Sequence, residues 1–452
     1  MPRGGSSPRA AIIAAAAVLS ILLHPGSALP QSAPAQPSAP PAANDSALTL
    51  RFSLEYWVRA TEIDNFDFDD HRPDALTFGW QRIKPFFGGR KRWFEFALQG
   101  QDARSHGVPP FTPNGAPTYT TRTSQLDFIK AFVKVTPRPG LTIKVGREQA
   151  DGAEIGISRK LASSSNYGTV LKSFDLVSLR WERRASSLMG FVAAPVDNLP
   201  YSLNRRNRSE RFWGVQATHT GRRNAHRLYL VDRSFGPLGP QSETGVHSDS
   251  ATYALGFQET GRLVIPGLAW DAEGMFEWGH RSTDRLRAAA LFVTATHTFT
   301  PDQNVFASYY QSSGDGTSGD GTTHGFDTLY SSGFNNWGYM GLSRGRNIGE
   351  LRFGGTSKIA GPVSVMWADH EQFLSVGRDL WYAIFTPNVS RQSAPSSRLG
   401  REIDATLLLK FPRLKHATIA LGYLEFFPGG YLETTGPHAH PRQFAIDIYG
   451  QF

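Results

Sequence analysis

The 452-residue chain contains no cysteine. That absence excludes disulfide scaffolds, cysteine-ligated zinc and iron–sulfur centres, thiol catalysis and a cysteine-anchored lipoprotein. Long apolar runs are also missing, so no segment is suited to cross a bilayer as a helix. Phosphate-binding glycine motifs do not occur. Lys and Arg number 47 against 39 Asp and Glu, but the basic residues are scattered among acidic ones. There is no basic patch of the kind that binds nucleic acid, and a cofactor is not expected. The chain does have 12% aromatic residues and period-two alternation along most of its length.

Arg3 and Arg9 precede an apolar stretch over residues 10–23, which gives way to His24, Pro25 and the small residues Gly26, Ser27 and Ala28. This predicts a secretory signal peptide over residues 1–28. Residues 29–46 are rich in Pro, Ala and Ser and read as a disordered linker. The folded unit is then residues 47–452.

Within it, Leu48, Leu50, Phe52, Leu54, Tyr56 and Val58 alternate with Thr49, Arg51, Ser53, Glu55, Trp57 and Arg59. Six matches in six predict a strand with one apolar face. The same pattern places Phe94, Phe96 and Leu98 opposite Glu95 and Gln99, and Val177, Leu179 and Trp181 opposite Ser178, Arg180 and Glu182. It returns in Ile403, Ala405, Leu407 and Leu409 against Glu402, Asp404 and Lys410. Many such segments run to about nine residues or more, enough to cross a membrane at a tilt. The last alternating run, Phe444, Ile446, Ile448, Gly450 and Phe452, resembles the C-terminal strand of bacterial outer-membrane barrels.

A bilayer offers no water to unpaired backbone groups, so strands there must close into a barrel. The expected fold is all-β, a transmembrane antiparallel β-barrel of about 18 strands at ~23 residues per strand and turn, with 16 as the alternative. The expected location is the bacterial outer membrane, in contact with its lipid. The 137–140 turn reads as periplasmic, and residues 104–124 and 312–346 as external loops or plugs.

Several segments together resemble the alginate-export family of outer-membrane barrels. The first is Lys144-Val145-Gly146-Arg147-Glu148-Gln149 with Ser173-Phe174-Asp175, departing from the family pattern at Leu176. The second is Asp315 with Phe326 and Asp327, followed by Gly338, Arg346 and Asn347; the third runs from Gly400-Arg401-Glu402 to Tyr431. The resemblance implies an 18-stranded barrel that passes an anionic polyuronate through a basic lumen; the expectation is export by diffusion through a single-chain barrel that needs no neighbour, with periplasmic export components as candidate partners.

A carboxylated polymer entering a narrow pore needs spaced inward cations, for which arginine's planar fork is well suited. Strand parity turns Arg51, Arg59, Lys130, Lys134, Lys144, Arg180 and Arg352 inward. Arg147 and Arg159 flank the first family segment and are the constriction candidates, although Arg147 shares parity with outward Val145 unless Gly146 forms a bulge. Glu55, Glu182, Glu273, Glu402 and Asp404 also face inward, either setting a transverse field or pairing the arginines. Trp57 would stack on a sugar or fill space. Asp315 and Asp320 lie in an oxygen-rich run that reads as a calcium loop without its final bidentate Glu, or as a plain flexible loop.

Gly341-Leu342-Ser343-Arg344-Gly345 matches a nucleophile-elbow pattern but lies in a polar loop rather than between a strand and a helix. Neither His438 and His440 nor Asp369-His370-Glu371 repeats with a third metal partner. The readings carried forward are polysaccharide export, porin-like uptake of small anions or oligosaccharides, an outer-membrane enzyme, and an exported soluble β-protein.

Overall fold

The computed structural model describes residues 47–71, 75–107, 123–150, 157–163, 170–200, 202–332, 336–383, 396–411 and 417–452. The expected signal peptide and linker, and most of the 104–124 loop, lie outside them.

The first strands are β1 (Thr49–Asp64), β2 (Leu76–Lys91), β3 (Phe94–His106), β4 (Ser124–Arg138), β5 (Leu141–Gln149), β6 (Ser173–Arg183) and β7 (Ser186–Asp197). After the two-residue β8 (Arg205–Arg206) come β9 (Glu210–Thr220), β10 (Asn224–Phe235), β11 (Ser250–Arg262), β12 (Leu268–Arg281), β13 (Asp284–Thr300) and β14 (Gln303–Ser312). A second two-residue piece, β15 (Thr322–Thr323), precedes β16 (Ile348–Ala360), β17 (Val363–Leu374), β18 (Arg398–Leu409), β19 (Ala417–Pro428) and β20 (Arg442–Gln451). The short helix α1 (Gly430–Thr435) lies between the last two. Setting aside β8 and β15, eighteen strands pair antiparallel in chain order, and β20 pairs with β1 to close the sheet.

Side-chain parity turns a soluble protein inside out. Phe52, Leu98, Val145, Val177, Leu179, Val192, Phe276 and Phe353 point outward and are exposed, while Glu273, Glu277, Glu402, Asp404, His370 and Gln372 are buried inside. An apolar outer band around a polar interior is what a lipid-facing closed sheet requires. No helix among the described residues is long and apolar enough to cross a membrane.

One end of the barrel carries short turns and the other longer connections. The 137–140 turn belongs to the short end: β4 stops at Arg138 and β5 starts at Leu141. Gly140 there has φ +80°, and a Cβ would lie 2.3 Å from the Glu182 carbonyl oxygen. Short turns mark the periplasmic side of such barrels.

Candidate functional site

The lumen is shaped by two connections from the opposite end that fold inward. Residues 157–163 follow β5, and residues 313–332 and 336–347 follow β14. They meet inside the barrel, where Ala162 bridges Tyr330, the Tyr330 N–H donates to the Leu161 carbonyl at 2.9 Å and the Ser332 N–H to Ser163 Oγ at 3.1 Å.

Inward carboxylates of the wall hold both segments. Ser158 Oγ donates to Glu273 at 2.6 Å, and Lys160 reaches Asp271 at 3.0 Å. Backbone N–H groups of Asp327, Met340 and Tyr339 donate to Glu277 at 2.8 Å, Glu402 at 2.9 Å and Asp404 at 3.3 Å. The Tyr330 hydroxyl donates to Glu210 at 2.7 Å, and burial pushes that phenol's pKa well above its ordinary value. Its ring sits edge-on to Phe174 and Phe212, at 4.8 and 4.9 Å. Glu402 and Asp404, expected to set a field or pair arginines, instead latch the inward segment to the wall. The physical reason is that buried backbone donors leaving regular structure need acceptors, and strand parity supplies carboxylates there.

On β1 to β6 the inward wall is richer in cations. Arg59 pairs with Asp447 at 2.8 Å, Lys134 with Glu95, and Lys84 with Glu55. Glu148 serves two lysines, Lys130 at 2.8 Å and Lys144 at 3.0 Å. Arg180 lies 3.7 Å from Glu182, and Arg82 covers the Trp57 ring at 4.8 Å. Trp57 itself is buried and donates to Asp447, so it fills the wall and is not open to a sugar face. Arg51 and Arg90 face inward near the short-turn mouth and make no ion pair among the described residues. One carboxylate shared by two lysines and two unpaired arginines leave positive charge in surplus on this side.

Arg147 is not in the lumen. Register is regular through Gly146, pairing Val145 with Val177 and Arg147 with Asp175, so no bulge turns the chain. Both charged residues share the outer face with Val145 and Val177, and Arg147 binds Asp175 at 2.7 and 3.2 Å. Charges are stable there because they neutralise each other near the end of the apolar band. Arg159 is exposed on the inward segment, close enough to Arg227 for the two cations to repel. Arg352 faces inward as expected, stacked on Phe306 at 4.8 Å and donating to the Tyr339 hydroxyl at 3.3 Å.

The family-motif residues are mainly structural. Phe174 and Phe326 are buried, and Asp327 accepts from Arg233 at 3.3 Å. Asn347 accepts the Val376 N–H at 2.9 Å and donates to the Val376 and Leu380 carbonyls at 3.1 Å, tying two connections together. The calcium reading is not supported. The Asp315 oxygens accept the Thr317 and His324 N–H groups, Asp320 accepts that of Thr322, and the only ligating trio drawn together among the described residues is Asp69, Asp70 and His71. Ser343 is buried and accepts the Gly345 N–H.

Parity reading of the sequence missed Arg82, Lys84 and Lys172. Inward Phe78 and Trp80 disguise the polar face of β2, and Pro85 and the Gly88-Gly89 pair interrupt it. Lys172 precedes β6 and donates to the Tyr330 and Ser331 carbonyls at 3.3 Å each. Lys172 is exposed, yet the protein atoms crowded around its ammonium, and then the Arg233 cation, push its pKa down to about 8.

The alginate export family model matches residues 48–446. No curated protein sequence matches significantly. Among solved structures, the chain is similar to Pseudomonas aeruginosa OpdK with vanillate, at TM-score 0.58, 9% identity, and coverage of 89% of this chain and 98% of that one. Pseudomonas aeruginosa OccK11 (OpdR) gives TM-score 0.57 at 12% identity, covering 89% and 96%. Acinetobacter baumannii OccAB2 gives 0.56 at 11%, covering 89% and 98%. At these identities the likeness is one of fold.

Proposed function

The chain belongs to the alginate export family of outer-membrane β-barrel channels, and we propose that its cargo is an anionic polysaccharide of the polyuronate class, passed outward by diffusion. It is a channel rather than an enzyme. The observation that carries the reading is the division of the wall. Carboxylates on β9, β12 and β18 accept hydrogen bonds from the inward segments, which cover that side of the wall, while the β1 to β6 side keeps its surplus of cations. A polyuronate sliding along that side exchanges water for Lys130, Lys134 and Arg180, which stay partly exposed. Cations already shared with carboxylates attract without trapping, as conduction requires. Arg159 on the inward segment adds a further charge in the path.

A second reading is uptake of small carboxylates, the class to which the vanillate named with OpdK belongs. The inward packing of residues 313–332 and 336–347 favours it, since it narrows the lumen. Single-channel recording in a planar bilayer separates the two. Anion-selective openings blocked by polymannuronate, and not by a neutral glycan of equal length, are expected. Openings blocked by vanillate but indifferent to polymannuronate would overturn the export reading in favour of small-solute uptake.

A further inference from the structure

Outside the barrel, at the long-connection end, a pocket of about 600 Å³ opens on the lipid-facing wall. Its apolar lining includes Phe128, Val145, Val177, Val192 and Leu203, each well exposed. The Arg147–Asp175 pair also lines it. Arg147 is fully engaged there: it also reaches Asp127 at 3.5 Å and the carbonyls of Phe128 at 3.3 Å and Asn204 at 3.4 Å. Asp127 in turn accepts the Asn204 N–H. The connection between β7 and β9 is thereby fastened to the outer wall at Asn204.

Beyond Asn204 the chain turns basic. Arg206 pairs with Val196, which shares parity with outward Val192, so it faces out and borders the pocket. Arg208 is exposed beside it, and Arg211 shares the outward face of β9 with Trp213 and Val215. None of these three arginines makes a side-chain hydrogen bond or ion pair among the described residues. The nearby outward carboxylate Asp232 is buried and accepts the Ser234 hydroxyl at Oδ2, its Oδ1 turned to none of the three arginines. Elsewhere on the same rim the outward arginines Arg398 and Arg401 are each held by a carboxylate, Glu371 and Asp369. Arg206 on the border of an apolar pocket, with Arg208 and Arg211 following it on the same outward-facing stretch of chain, is complementary to a ligand with anionic groups on a headgroup and hydrocarbon below it.

We propose that this pocket binds the phosphorylated, acylated sugar lipid of the outer leaflet, with phosphate on Arg206 and Arg211 and an acyl chain along Val145, Val177 and Val192. The Arg147–Asp175 pair positions the site by pinning Asn204 and does not itself contact phosphate.

The test uses the full barrel in detergent, lipid A as probe, and native mass spectrometry as readout. Dephosphorylated lipid A and inorganic phosphate are the comparison arms. Wild type should retain lipid A, and the Arg206→Ala/Arg211→Ala variant should retain at least tenfold less, equivalent to about 1.4 kcal/mol. Val192→Trp, which fills the pocket and leaves the arginines in place, should also lose retention. Heat-modifiable migration confirms that each variant is folded. Equal retention by wild type and both variants overturns the proposal. So does equal retention of the dephosphorylated lipid, or displacement of lipid A by millimolar phosphate alone, which would make this a free-anion site.

Discussion

Asp447 grips Arg59 with both carboxylate oxygens, Nε to Oδ1 and Nη2 to Oδ2 each at 2.8 Å, and its Oδ1 also accepts the Trp57 indole N–H at 2.7 Å. The two charged residues are directly opposed in the β1–β20 register, so the clasp spans the seam where the first and last strands close the sheet.

Removing one partner of a buried pair strands the other, at a cost of about 3–5 kcal/mol. Asp447→Ala should therefore lower the temperature at which the folded, fast-migrating band is lost on electrophoresis. Asp447→Asn retains an acceptor and should fall between the alanine variant and wild type. Migration unchanged in Asp447→Ala would show that the seam closes without this clasp.

The Met340 N–H on Glu402 and the Tyr339 N–H on Asp404 hold residues 336–347 against β18. Gly338, at φ +90°, allows that approach, since a Cβ would lie 2.3 Å from Glu402 Oε2. Glu402→Ala leaves a buried backbone donor without an acceptor, costing about 1–3 kcal/mol locally. The expected result is a larger and noisier single-channel conductance as the segment loosens. Gly338→Ala should act in the same direction by pushing the segment off the wall. Unaltered conductance in both would mean that the segment does not limit flow.

Strand parity is local, repeating every two residues, so the alternation of β1 and β20, the barrel and the inward set Arg59, Lys130, Lys134, Lys144, Arg180 and Arg352 were all legible in sequence. Even the outward placement of Arg147 was implied by its parity with Val145. What fills the lumen was not legible. The partners of Glu277 and Glu210 are Asp327 and Tyr330, separated from them by 50 and 120 residues, and irregular segments have no periodicity to read. Asp315 suggested calcium because its spacing is acidic, but backbone N–H groups compete for the same oxygens, and only the folded geometry shows that they are already bound.

Because Arg147 lies on the outer wall and Lys130 and Lys134 on the inner one, substitutions should separate cleanly. Arg147→Ala should leave polymannuronate block unchanged. Lys130→Ala combined with Lys134→Ala should weaken it by roughly tenfold, the scale of two partly screened cation contacts. Titration of block against polymer concentration decides the matter. Weakened block in Arg147→Ala alone would contradict the regular register through Gly146.

Lys172 should make anion selectivity depend on pH near neutrality. Its ammonium faces Arg233, Glu210 and the carbonyls of Tyr330 and Ser331, and its pKa is lowered from 10.5 to about 8. A lowered lysine pKa means charge present below that value and lost above it. Reversal potentials measured across a salt gradient should therefore show the anion preference falling as pH rises from 7 to 9. Lys172→Arg keeps its charge through this range and should flatten the dependence, whereas Lys172→Met should hold selectivity at the high-pH level throughout. A wild-type preference constant from pH 7 to 9 would place the charge that governs selectivity elsewhere, on the wall pairs around Glu148.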